Sequence, residues 1–216
     1  MKYNKAQGIV LKKTNYKETD QIVTIWSYEF GKMRVLARGL RLPKSKLAGS
    51  LQDLSLVNFE VTGRWPTIIS AGTVRNFKGI RSNLAKMAPA FYVTELMLKT
   101  TADEHPNTPA LECFLDFLNV LDHEDNLEII DVALHSFVLK LLDHLGFGTE
   151  YAQNSFQISP ELFETLKSLR QADLKDIRGV TIAPNLAYKL KQTINQLLEF
   201  VLERELKSKA FLTQVI

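Results

Sequence analysis

Asp20-Gln21-Ile22-Val23-Thr24-Ile25-Trp26-Ser27, a turn at Phe30-Gly31, and Lys32-Met33-Arg34-Val35-Leu36-Ala37-Arg38-Gly39 form the most telling stretch of this chain. The first run is rich in β-branched residues and alternates. Gln21, Val23, Ile25 and Ser27 share one face, and Ile22, Thr24 and Trp26 share the other. A glycine turn followed by a second extended run predicts a hairpin. Residues 8–14 predict a strand before it, and residues 54–61 and 67–75 predict two more after it. Residues 43–51, with Pro43 near the start, suit a short helical or irregular connection between the third and fourth strands. About five short strands in roughly 75 residues, with one such connection, match a five-stranded barrel of the OB type. An SH3-like barrel is the nearest alternative.

From Ser82 onward the period changes from two to about 3.6. Leu84, Met87, Ala88, Phe91, Tyr92 and Leu96 recur at three and four residues, which predicts a helix to about Thr101. His105-Pro106-Asn107-Thr108-Pro109 interrupts it. A second helix carries Leu111, Phe114, Leu115, Leu118, Val120 and Leu121. A third spans about 127–145 and ends at Gly146-Phe147-Gly148, where glycine supplies a left-handed cap. Ser159-Pro160 reads as an N-cap with proline at the first helical position, and a last helix runs from about Pro184 to Glu205. The expected class is therefore α+β: an OB-type barrel over residues 1–80, then a helical domain over 81–216, joined near residues 79–83.

Charge divides the chain at the same place. Residues 1–81 hold 15 Lys/Arg against 5 Asp/Glu, and residues 82–216 hold 12 against 19, which the overall net charge of +3 conceals. A basic half of this kind points to a polyanion partner, most commonly nucleic acid. The single cysteine, Cys113, can form neither an internal disulfide nor a cysteine zinc site, so a reducing, cytoplasmic setting is expected. Neither a signal-peptide core nor an apolar run of roughly 18 residues is present, so no membrane role is expected.

Motifs for bond-making chemistry fail on inspection. Gly39-Leu40-Arg41-Leu42-Pro43-Lys44-Ser45 has the outline of a phosphate loop, but the glycine needed before the lysine is Pro43, which has no N–H to offer. His105, His123, His135 and His144 form no ligand set; His135 and His144 fall about 180° apart on one helix. Cys113 lies beside Leu111 and Phe114 and reads as an inert, buried thiol. The adjacent acids Asp103-Glu104 and Glu124-Asp125 read as solvated surface groups. No catalytic residue, metal or cofactor is expected, and a hydrolase is the least favoured class.

The cations are different. Lys32, Arg34, Arg38, Arg41, Lys44 and Lys46 fall within fifteen residues that contain no acid. Arg34 and Arg38 are an even number apart and should share one face of the third strand. Lys12 and Lys13 on the first strand and Arg75, Lys78 and Arg81 after the fifth extend the set. Among rings that could interleave with bases are Tyr16, Trp26, Phe30 and Trp65, although alternation favours the core for Trp26.

The sequence resembles the RecO family of bacterial recombination mediators. The resemblance is carried by Gly8-Ile9-Val10-Leu11, Tyr16-Lys17-Glu18-Thr19-Asp20, Phe30-Gly31-Lys32 and, most strongly, Ala37-Arg38-Gly39-Leu40-Arg41-Leu42-Pro43-Lys44-Ser45-Lys46-Leu47. Tyr92 to Leu96, the helix end at Leu141-Leu142-Asp143-His144-Leu145-Gly146-Phe147 and the segment Leu206-Lys207-Ser208-Lys209-Ala210-Phe211-Leu212 are also similar. The resemblance implies an OB-fold domain followed by a helical domain. It also implies non-catalytic binding and annealing of single- and double-stranded DNA, with the basic DNA-binding positions on Arg34, Arg38, Arg41, Lys44 and Lys46. Implied partners are RecR, the acidic tail of single-stranded-DNA-binding protein and, indirectly, RecA, with nucleoid association inside the cytoplasm. Many relatives carry a four-cysteine zinc motif near Thr149-Glu150-Tyr151-Ala152-Gln153-Asn154-Ser155. This chain has no cysteine there, so zinc is not expected.

The expected activity is thus DNA binding and strand annealing in recombination and repair, with Arg34, Arg38, Arg41, Lys44, Lys46, Lys12, Lys13 and Arg75 as the binding set. An OB-fold RNA-binding module and a structural protein-interaction adaptor are the alternatives. The acidic helical half is assigned to protein partners, and Lys140, Arg170, Lys175 and Arg178 could form the basic rim of a pocket for an acidic peptide.

Overall fold

The computed structural model describes residues 4–147, 149–156, 158–202, 206, 208–209 and 212. Five strands are present: β1 (Asn4–Tyr16), β2 (Asp20–Ser27), β3 (Gly31–Ala37), β4 (Ser55–Thr62) and β5 (Thr67–Asn76). They close in the order β1-β2-β3-β5-β4, the OB order. Neighbours are antiparallel except β3 and β5, which meet in parallel at Leu36 and Thr67. The alternation read in the sequence sends Val23 and Ile25 of β2 and Val35 and Ala37 of β3 into the barrel, where Leu40 and Leu51 from the β3–β4 connection join them. Each fully buried Val, Leu or Ile contributes roughly 1.5–3 kcal/mol relative to exposure.

Three strand expectations need adjustment. β1 is nearly twice as long as the apolar run suggested, because residues Asn4–Ile9 pair with β4 while Gly8–Tyr16 pair with β2. A bulge between Val10 and Lys12 lets one strand serve both neighbours. β3 ends at Ala37, so Arg38 lies one residue beyond the strand rather than on it. The turn begins there because Gly39 takes φ +61° and its N–H donates to Asp20 Oδ1 at 2.8 Å. The 43–51 connection is irregular, without a helix.

The chain divides into two compact units: Met1–Phe77 with Thr101–Leu111, and Lys78–Thr100 with Glu112–Ile216. Besides the residues before the helices, the segment Thr101–Leu111 is grouped with the barrel. The Glu104 N–H donates to the Lys32 carbonyl at 2.9 Å, and Asp103 forms a parallel bridge with Lys32. The start of β3 can accept this segment because Gly31 has no side chain. A Cβ there would stand 2.4 Å from the His105 carbonyl.

The second unit is helical: α1 (Lys78–Ser82), α2 (Leu84–Thr100), α3 (Thr108–His123, whose first turn lies in the barrel unit), α4 (Leu127–His144), α5 (Thr149–Phe156), α6 (Pro160–Gln171) and α7 (Pro184–Leu202), with a 3-10 turn at Leu174–Gly179. Asn126 caps α4 by accepting from the Glu128 N–H, and Ser159 caps α6 with Pro160 in its first turn. α4 stops where Gly146 takes φ +86° and the Phe147 N–H reaches back to the Leu142 carbonyl at 2.8 Å. Gly148, the second glycine of that signal, and residues 203–205 of the expected last helix lie outside the described residues.

The apolar face expected for α2 is shifted. Leu84 and Phe91 are exposed, while Ala90, Val93 and Met97 are buried. Lys86 is buried too, its ammonium 2.8 Å from Asp125 and donating to the Asp122 carbonyl at 3.3 Å. A lysine satisfied in this way can occupy a core position that composition alone assigns to a leucine. Glu124 plays the reciprocal part. Its carboxylate accepts the N–H groups of Asn126 and Asp125, each at 3.0 Å, and Arg178 Nε at 2.7 Å. The Asn126 N–H in particular, then Arg178, hold the Glu124 pKa below its ordinary value. These acids are ion-pair partners rather than merely solvated groups.

Two stability outcomes follow. Gly31→Ala adds a methyl group against the His105 backbone at positive φ and should cost about 3 kcal/mol. Gly39→Ala, whose nearest obstacle is the Leu42 side chain at 3.1 Å, should cost about 1 kcal/mol. Urea unfolding midpoints check both, and equal costs would show that Thr101–Leu111 does not rest on the hairpin. Glu124→Gln should lower the melting temperature at pH 7. Because the folded-state pKa is depressed, that difference is fully present above about pH 4.3 and disappears as pH falls through the lower folded value. A difference unchanged between pH 7 and pH 3 would contradict it.

Candidate nucleic-acid interface

Register places the first cations. Lys12 pairs with Thr24, and Thr24 pairs with Arg34, so these three residues form one cross-strand row on the outside of β1, β2 and β3. Further along the same strands, Tyr16 pairs with Asp20, whose carboxylate holds Gly39 next to Arg38. Arg38, Arg41, Lys44 and Lys46 are all exposed. Arg41 ties the β3–β4 connection to the β1–β2 turn, its N–H donating to the Thr19 carbonyl and its Nη1 to the Glu18 carbonyl, both at 3.0 Å. Among the described residues, Lys12, Arg38, Lys44 and Lys46 have no carboxylate partner. Their side chains are exposed to solvent.

Not every expected cation joins them. Lys32 is only 7% exposed; its ammonium donates to the Thr101 carbonyl and lies 3.3 Å from Asp103. It belongs to the acid-free run by sequence but not to the surface. Arg34 stays open, yet Asp103 approaches it at 3.8 Å. Lys13 pairs with the core residue Val23, is half-buried and lies 3.8 Å from Asp53. Arg75 is opposite Leu56 of β4, off the β1–β2–β3 row, with its guanidinium 5.8 Å from the Phe77 ring centroid. Asp103, expected from sequence to be a merely solvated acid, instead pairs with Lys32 and approaches Arg34. Nothing local to Asp103 signals that a distant strand needs neutralising.

The rings separate cleanly. Trp26 is fully buried and Phe30 packs on the barrel core, whereas Tyr16 is 42% and Trp65 83% exposed. In the helical unit the proposed rim cations are engaged. Arg170 contacts Asp143 at 2.9 Å, Arg178 contacts Glu124, Lys175 lies 3.5 Å from Asp116, and Lys140 donates to the Arg170 carbonyl at 2.7 Å.

Burial pushes the Cys113 thiol up to about 12, so it stays protonated. His135 is buried beside Asp131, with burial lowering its pKa, and the other three histidines are exposed. Among the described residues no cluster of His, Cys, Asp and Glu could hold a metal ion. The 149–155 stretch, where relatives were expected to carry cysteines, is helix α5, and its residues do not fit a thiolate zinc site. Among the described residues no helix is long and apolar enough to cross a membrane.

Barrel order and outward cations together define an OB-fold protein with an exposed basic face on its barrel. Two family models match the chain: Recombination protein O N terminal over residues 1–77, and Recombination protein O C terminal over residues 81–152. The chain is similar to the DNA repair protein RecO of Bacillus subtilis, 28% identical over 98% of this chain and 94% of that protein. It is also similar to that of Halalkalibacterium halodurans, 24% identical over 99% and 95%, and to that of Listeria innocua, 33% identical over 66% and 55%. The chain belongs to the RecO family of DNA repair proteins.

Asp103→Asn removes the carboxylate that approaches both exposed Arg34 and buried Lys32 while keeping its size, so a melting curve first checks that the variant is folded. Binding to a polyanion such as heparin should strengthen about two- to fivefold at low salt, in line with the worth of an exposed pair. Elution from a heparin column at higher salt than wild type is the expected result; unchanged elution would place Arg34 outside the surface.

Proposed function

We propose that this chain binds single-stranded DNA along the outer face of β1, β2 and β3 and brings complementary strands together without a nucleotide cofactor. The observation that supports the reading most is the set of uncompensated cations at Lys12, Arg38, Lys44 and Lys46, with Arg34 and Arg41 beside them. Strand pairing is opposed chiefly by phosphate repulsion. A surface that neutralises phosphates on two strands at once lowers that barrier, and base pairing supplies the favourable free energy. Lys13 and Arg75 contribute to the general field rather than to direct contact.

In this reading the chain is a recombination mediator rather than an enzyme. It acts with RecR, engages the acidic tail of single-stranded-DNA-binding protein, and assists RecA onto strands coated by that protein. Family membership and the charge division support these roles. The acidic helical unit repels DNA and is therefore the half assigned to protein partners.

Salt dependence tests the DNA reading. With about five phosphates contacted, log affinity for a single strand should fall against log salt with a slope near −3.5. Arg34→Ala with Arg38→Ala should reduce that slope by about 1.4 and weaken all sequences equally, since phosphate contacts carry no base code. A flat salt response would overturn the proposal. Equal competition by RNA of the same length would point to an RNA module instead.

A further inference from the structure

We infer that Trp65 is a base-stacking platform that gives the barrel a preference for unpaired strands. The inference rests on the DNA-binding reading of the neighbouring face and adds to it a residue that reads strand type rather than charge.

Trp65 stands in the turn Gly63-Arg64-Trp65-Pro66 between β4 and β5, where Gly63 takes φ +89°. At 83% it is the most exposed large apolar side chain among the described residues. The other indole of the chain, Trp26, is fully enclosed, whereas Trp65 presents its ring to solvent. Its backbone is nevertheless fixed. Thr67 Oγ1 donates to the Trp65 carbonyl at 3.1 Å, and the Leu36 N–H donates to the Pro66 carbonyl at 2.8 Å. Leu36 is midway along the chain between Arg34 and Arg38. The turn is thus anchored to β3 between two guanidinium-bearing positions. Arg64 beside the ring is exposed and has no carboxylate partner among the described residues.

A polynucleotide held by its phosphates on Arg34 and Arg38 brings its bases to this turn. In a duplex the faces of each base are covered by its neighbours, whereas a single strand can offer one to an indole. Stacking on such a ring tolerates any base, because every base has a π-face. The cations hold both forms of DNA, and Trp65 adds affinity only for the unpaired one. When two strands pair on the surface the stacked bases are withdrawn, and the product is held more weakly than the reactants.

The test uses the full chain and fluorescent oligonucleotides, one single-stranded and one duplex, across a salt series. Trp65→Ala should weaken single-strand binding roughly tenfold, leave duplex binding unchanged and leave the salt slope unchanged. Trp65→Phe should recover most of the loss. Single-stranded DNA should quench the emission of the exposed indole in wild type, and this signal should vanish in Trp65→Ala while the buried Trp26 still emits. Unchanged single-strand affinity in Trp65→Ala, with cation-dependent binding intact, overturns the inference and leaves the DNA-binding reading standing. Equal losses for single strand and duplex also overturn it. Failure of wild type to bind either form overturns both.

Discussion

The parallel meeting of β3 and β5 is the constraint on which the rest of the barrel depends. It consists of the Leu36–Thr67 register and the hydrogen bond from Leu36 to the Pro66 carbonyl. Without it the five strands would form an open sheet with β3 and β5 as bare edges, exposed to pairing with other chains. With it, the inward set at Val23, Ile25, Val35 and Ala37 becomes a closed core. Lys12, Thr24 and Arg34 lie on the opposite face of the strands, where Lys12 and Arg34 are exposed. The same closure brings the β4–β5 turn beside β3. One junction therefore fixes both the cationic row and the turn that carries Trp65.

Electrostatics then sorts the cations by what they meet. Taking a charge out of water is costly unless a partner and hydrogen bonds compensate it. Lys32 and Lys86 meet that condition through Asp103 with the Thr101 carbonyl, and through Asp125 with the Asp122 carbonyl. They serve the fold. Arg38, Lys44 and Lys46 meet no acid among the described residues and remain in water. Arg34 is intermediate, since Asp103 approaches it without enclosing it. Asp103 thereby joins the fold of the barrel unit to the strength of its surface.

Much of this was legible in the chain. Alternation in 20–27 and the glycine at position 31 were enough for the hairpin, and the strand count with one connection indicated the barrel. The acid-free run of 32–46 marked the basic surface. Other features were out of reach for physical reasons. The double pairing of β1 depends on a bulge at Val10–Lys12 that no local pattern signals. Lys32 looked like surface because the groups that compensate its burial, Asp103 and the Thr101 carbonyl among them, are distant in sequence. Leu84 and Phe91 fit a helical stripe, yet the buried face of α2 runs through Lys86, Val93 and Met97, since a paired lysine can take a core position. Single-residue chemistry predicted these poorly; partners determined them.

The most direct measurement is lysine footprinting by acetylation and mass spectrometry, with and without a single-stranded oligonucleotide at low salt. Lys12, Lys44 and Lys46 should lose reactivity when the strand is added. Lys189 and Lys191, exposed on α7, should not change, and buried Lys32 should stay unreactive throughout. Protection spread evenly over both sets, or confined to Lys189 and Lys191, would contradict the assignment of DNA to the outer face of the barrel.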